Sequence, residues 1–108
     1  MKKDDGFRQF VEDQLAGMRG LSCKAMFGGY GLYADGTFFG IIFRGQLYFK
    51  TDAATRPAYV AHGMKPFRPN AKQTLKSYYE VPAEILDSAE ALREWAEQAT
   101  RGKNGDSD

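Results

Sequence analysis

Cysteine occurs once in these 108 residues, at Cys23, and histidine once, at His62. One thiol cannot close an intrachain disulfide, so the chain is expected in a reducing compartment. One Cys and one His also fall short of a structural zinc site, and no His neighbours Cys23 in sequence to activate it as a nucleophile. Charge of one sign is not in excess. Lys and Arg number 15 against 14 Asp and Glu, for a formal net charge of +1. That balance argues against binding nucleic acid through bulk positive charge; only Lys2, Lys3 and Arg8, and then Lys65, Arg68, Lys72 and Lys76, form loose basic sets. Long apolar runs are missing too. None approaches the roughly 20 residues that span a bilayer. The opening MKKDDGF has no apolar stretch behind its lysines and does not read as a secretory signal. The expectation is a cytoplasmic protein.

Aromatic residues are abundant by contrast, with eight Phe, six Tyr and one Trp. Rings of this size bury large areas, and the length suits one hydrophobic core. An amphipathic helix is expected from Asp5 to Met18, where Phe7, Phe10, Val11, Leu15 and Met18 recur at helical spacing. Leu21 to Lys24 reads as a connection. Met26–Tyr33, Thr37–Phe43 and Leu47–Lys50 are rich in aromatic and β-branched residues and read as a three-stranded meander. Asp35-Gly36 is a strong two-residue hairpin signal. Arg44-Gly45-Gln46 reads as a looser three-residue turn.

Those turns predict a register. Leu32 falls opposite Phe39 and Tyr30 opposite Ile41, and Phe43, Leu47 and Phe49 share their face, which reads as the core side. Gly29, Gly31, Gly40, Tyr33, Phe38, Ile42, Tyr48 and Lys50 fall on the other side. A two-residue second turn would flip the third strand.

A second helix follows from Asp52 or Thr55, with Pro57 in its first turn and Gly63 closing it. Extended segments at Lys65–Arg68 and Leu75–Val81 come next. Val81-Pro82 opens a helical turn, and Asp87-Ser88-Ala89-Glu90 reads as a capping box for a last helix bearing Leu92, Trp95, Ala96 and Ala99. Residues 1–101 form the expected domain, and the polar stretch 102–108 an expected disordered tail. The order predicts an α+β fold of two layers, α-β(3)-α-β(2)-α, with helices over one face of a five-stranded antiparallel sheet.

Phe27-Gly28-Gly29-Tyr30-Gly31 lacks the spacing of either phosphate-binding glycine loop and has no Lys-Ser/Thr pair after it. Glycines within a strand point instead to close backbone approach. Two polar or apolar groupings stand out as candidate sites. Tyr48, Lys50, Asp52 and Arg56 surround the strand-to-helix junction, where Asp52 can cap the helix and pair with Arg56; the alternative is a small anionic ligand or an acidic partner at Lys50 and Arg56. Tyr33, Phe38, Ile42 and Tyr48 form the second grouping, an interface on the outer sheet face for a protein partner or a second copy. No metal site, cofactor motif or catalytic set is visible.

The blocks Met26-Phe27-Gly28-Gly29-Tyr30-Gly31-Leu32-Tyr33, Asp35-Gly36, Phe39-Gly40-Ile41-Ile42, Leu47-Tyr48-Phe49-Lys50-Thr51-Asp52 and Arg56 resemble the N-terminal domain of TfoX/Sxy proteins. Pro66-Phe67, Tyr78-Tyr79-Glu80-Val81-Pro82 and Leu92 to Trp95-Ala96 follow in the same order. The resemblance implies the α-β(3)-α-β(2)-α fold, like that of secretion chaperones. It also implies a non-enzymatic part in transcription regulation of competence genes, with the cyclic-AMP receptor protein as an associated regulator. Longer members add a C-terminal helical domain where this chain has its polar tail, so a free-standing N-terminal domain is implied. The runner-up function is a small anionic-ligand binder or an enzyme at the Tyr48–Arg56 junction.

Overall fold

The computed structural model describes residues 3–26 and 28–101. Phe27 and the expected tail 102–108 lie outside the described residues. Among those described, an open six-stranded antiparallel sheet is joined by four helices: α1 Lys3–Gln14, β1 Leu21–Met26, β2 Gly29–Ala34, β3 Thr37–Phe43, β4 Gln46–Lys50, α2 Arg56–Ala61, β5 Pro66–Asn70, β6 Gln73–Glu80, α3 Ala83–Leu86 and α4 Ala89–Arg101. The strands lie in the order β1-β2-β3-β4-β6-β5. The α+β class holds, with one strand and one short helix more than expected. The extra strand is β1, which occupies the segment read as a connection and pairs along its whole length with β2.

α1 stops at Gln14 instead of running to Met18, because Gly17 takes φ +96, outside the helical region. Leu15 and Met18 are nonetheless buried with Val11, so the apolar stripe outlasts the helix. The Gln14 side-chain amide donates to the Leu86 carbonyl at 2.8 Å and ties α1 to α3. At the last helix the cap is Ser88 rather than Asp87, its Oγ accepting from the Ala91 amide at 3.2 Å. Trp95 is half-buried and leans on α2, with its ring 4.7 Å from Tyr59 and 5.9 Å from His62.

The main core lies between the sheet and the helices. It contains Val11 and Leu15 of α1, Leu32, Phe39, Ile42, Leu47 and Phe49 of the meander, Tyr59 of α2, and Leu92, Ala96 and Ala99 of α4. Burying each of the larger side chains contributes about 1.5–3 kcal/mol relative to leaving it in water.

The register departs from expectation at two places. Ala34 pairs with Thr37 and Tyr33 with Phe38, as the Asp35-Gly36 turn requires, but Leu32 then pairs with Gly40. Phe39 is the additional residue of a β-bulge, so Phe39 and Gly40 both turn to the core side. Beyond it the alternation is reversed. Ile42, expected on the outer face, is fully buried in the main core, while Ile41 and Phe43, expected in the core, face outward. The second departure is the next turn, which has two residues, Arg44 and Gly45, both at positive φ, so Phe43 pairs with Gln46. This flips β4 back. Leu47 and Phe49 therefore reach the core as expected, because two register differences compensate.

Candidate functional site

Of Tyr48, Lys50, Asp52 and Arg56, the first two lie on β4, Asp52 in the turn that follows it and Arg56 at the start of α2. The Asp52 carboxylate accepts from the backbone amides of Ala54 and Thr55 at 2.9 Å each and from the Thr55 hydroxyl at 3.2 Å. The Thr55 amide bond is the main cause that holds this carboxyl below its ordinary value, helped by the Ala54 amide and the Arg56 charge. Arg56 directs Nε to the Thr51 hydroxyl at 3.0 Å. Thr51 is 1 % exposed, and its hydroxyl donates in turn to the Ser77 carbonyl at 2.8 Å. The junction is thus a turn stitched to β6 through Thr51, a residue that sequence reasoning passed over. Tyr48 points back along the strand, its hydroxyl donating to Gln46 Oε1 at 2.8 Å, and burial pushes its phenol upward. Lys50 is half-buried opposite Tyr78.

The outer face of the sheet offers more. A second apolar cluster of Ile41, Tyr48 and Phe67 lies there, with Phe38, Phe43, Leu75 and Tyr78 packed around it. Its members all come from strands, and no described helix contributes to it. The irregular β5–β6 pairing, with register shifts on both sides of Phe67, brings the Phe67 ring over the face. That ring sits 4.6 Å from Tyr48 and 5.4 Å from Phe43. The rest of the face is less covered. Tyr33 stacks obliquely on Phe38 at 5.2 Å, Phe38 on Tyr78 at 5.6 Å, and Lys24 Nζ lies 5.2 Å from the Tyr33 ring centre. Tyr33, Phe38 and Tyr78 are all half-buried. A hollow of about 370 Å³ runs alongside, lined by Thr74, Leu75, Lys76, Ser77 and Tyr78.

Of the four residues expected at an interface, Tyr33 and Phe38 therefore lie on this ring row. Tyr48 is on the same face but covered by Phe67, and Ile42 belongs to the opposite side. Tyr78 completes the row; the doublet Tyr78-Tyr79 divides between faces as alternation requires, with Tyr79 packed on the main core. The strand glycines act by close approach within the chain. A Cβ on Gly29 would collide with the Ile42 carbonyl, and one on Gly31 would press on the Met26 sulfur and the Phe38 ring.

Chemistry is sparse elsewhere. Burial pushes the Cys23 thiol up to about 11, with the Glu12 charge adding to the shift. Among the described residues no three His, Cys, Asp or Glu side chains gather as a metal site. No described helix is long and apolar enough to cross a membrane.

These features define an α+β domain with helices on one face of an open sheet and a row of rings on the other. The family model for the TfoX N-terminal domain matches residues 13–102, and the chain belongs to that family. The comparison with curated proteins finds no match. Family membership indicates a competence- or regulator-type module.

Proposed function

We propose that this chain is a non-enzymatic regulatory module of the cytoplasm that acts by binding a protein through the outer face of its sheet. The observation that carries this reading is the ring row Tyr33–Phe38–Tyr78, half-buried on a face without a described helix. Apolar surface left in water costs about 25 cal/mol per Å². Covering it against a partner recovers that free energy, and Tyr and Phe are the residue types enriched at protein interfaces. Lys24, its ammonium 5.2 Å from the Tyr33 ring centre, gives that end of the row a basic margin suited to a partner surface with acidic groups. At the junction, Asp52 Oδ1 is engaged by backbone amides and Arg56 Nε by Thr51, which favours a structural part for these atoms.

The test is genetic and transcriptional. Removing the gene should alter a defined set of transcripts, and the wild-type chain should restore them. A Tyr33→Ala/Phe38→Ala chain should fold with a wild-type circular dichroism spectrum yet fail to restore them. Full restoration by that chain would refute a role for this face.

A further inference from the structure

The two edges of the sheet differ in character. β5 carries Pro66 and Pro69 within five residues, and its pairing with β6 is interrupted by register shifts. Proline has no N–H to donate, so a further strand cannot join that edge in a regular ladder. β1 has neither device. It contains no proline and keeps unbroken register against β2, the one described element with which it makes extensive contact.

The phase of the β1–β2 ladder shows what the free side of β1 offers. The Asp35 amide donates to the Gly20 carbonyl at 3.0 Å, which makes Gly20 and Asp35 a hydrogen-bonded pair. Every second pair along the register is then hydrogen-bonded as well: Ser22 with Tyr33, Lys24 with Gly31, and Met26 with Gly29. The amides and carbonyls of Leu21, Cys23 and Ala25 consequently point away from β2, along the open edge.

We infer that β1 is a self-association edge, where a second copy of the chain pairs β1 to β1 antiparallel about a two-fold axis through Cys23. The occupant follows from the pattern of the strand. Outward-pointing residues must meet outward-pointing residues to exchange hydrogen bonds, and this matches the faces, so both helical layers stay on one side of a continuous sheet. With the axis at Cys23, Leu21 meets Ala25 of the second copy and Ser22 meets its Lys24. An axis at Lys24 would make the two lysines a directly opposed, non-hydrogen-bonded pair with Cα atoms about 4.5 Å apart, and like charges so paired are disfavoured. An axis at Ser22 would shorten the ladder within the strand. Lys24 does not obstruct the edge, because its ammonium lies over the Tyr33 ring on the outer face. On the helical side, Arg8 and Glu12 of α1 lie near Cys23 and pair with each other at 3.1 Å, so each copy brings one charge of each sign toward the axis. The two outer ring rows then share one side of the joined sheet.

Sedimentation velocity of the full chain, from low-micromolar to near-millimolar concentration, tests the edge. The wild type should show a concentration-dependent monomer–dimer equilibrium. Ala25→Pro removes an outward amide, sacrifices no bond to β2 and alters an exposed side chain, so it should stay monomeric with a wild-type thermal midpoint. Should proline disturb the fold, the exposed Ser22 carries the test instead. Ser22→Glu, opposite Lys24 of the second copy, should tighten the dimer several-fold, and Ser22→Lys should weaken it several-fold. A wild type that is monomeric throughout overturns the inference. So does a dimer indifferent to Ala25→Pro and both Ser22 variants, or one abolished by Phe38→Ala alone, which would put association on the outer face.

Discussion

Replacing Thr51 with Val separates a structural junction from a ligand site at the end of β4. Thr51 is 1 % exposed, so Val fills the same space and changes only the hydroxyl. That hydroxyl donates to the Ser77 carbonyl at 2.8 Å and accepts from Arg56 Nε at 3.0 Å. A neutral hydrogen bond contributes about 0.5–1.5 kcal/mol net, and one from a charged donor about 1.5–3 kcal/mol. Two effects reduce the sum. The Ser77 carbonyl keeps the Thr51 backbone amide at 2.6 Å, and water can reach the half-buried Arg56. A loss of about 2 kcal/mol is therefore expected. In a domain of this size that lowers the thermal midpoint by roughly 10 °C. Urea titration should show a lower midpoint with an unchanged slope. Thr51→Ser keeps both bonds and should lose no more than about 1 kcal/mol. A double-mutant cycle with Arg56→Ala should return a clear coupling energy. Thr51→Val within about 0.5 kcal/mol of wild type would refute the reasoning, since surface changes of no consequence fall in that range.

Three further outcomes are expected. Phe67→Ala should cost about 3 kcal/mol in urea titration, because the fully buried ring joins Tyr48 and Phe43 into the second cluster; a loss under about 1 kcal/mol would mean that the cluster forms without it. Gly36 has φ +82 with open space around it, so Gly36→Val should destabilise by roughly 1 kcal/mol or more through backbone strain alone, and unchanged stability would contradict the turn geometry. Cys23, its thiol pushed up to about 11, should react with a thiol reagent at pH 8 far more slowly than a small free thiol and accelerate as pH rises towards that value; equal rates at pH 8 would show that the thiol is not protected.

Legibility in the sequence followed the range of the interactions involved. β3 was read with its observed bounds, Thr37–Phe43, because its residue types and the Asp35-Gly36 turn are local signals. The bulge was not legible as such. It depends on Gly40 fitting between Leu32 and Phe49, and the only trace in the chain is a glycine inside an apolar strand. That one extra residue moved Ile42 into the core and Ile41 and Phe43 out of it. β1 was missed because Leu21–Met26 lacks aromatic and β-branched residues; it is a strand because β2 offers it a partner. At the candidate site, Asp52 reads from the sequence as a cap for the helix; the cap position is Thr55, and Asp52 instead holds the preceding turn through the Ala54 and Thr55 amides. Thr51 was not, since its partner Ser77 lies 26 residues away. On the outer face, Tyr33 and Phe38 precede the bulge and were placed correctly. Phe67 reaches that face only through the irregular β5–β6 pairing, which no local pattern announces.

Site-specific photo-cross-linking in the native cell tests the central claim most directly, with a photo-reactive phenylalanine analogue at Phe38 in one chain and at Val60 in another. Phe38 stands in the ring row, whereas Val60 is 56 % exposed on α2, on the helical side. The account predicts a discrete adduct with one protein from position 38, lost when Tyr33→Ala is added, and none of that mass from position 60. Absence of any protein adduct at position 38, or the same adduct from both positions, would contradict it.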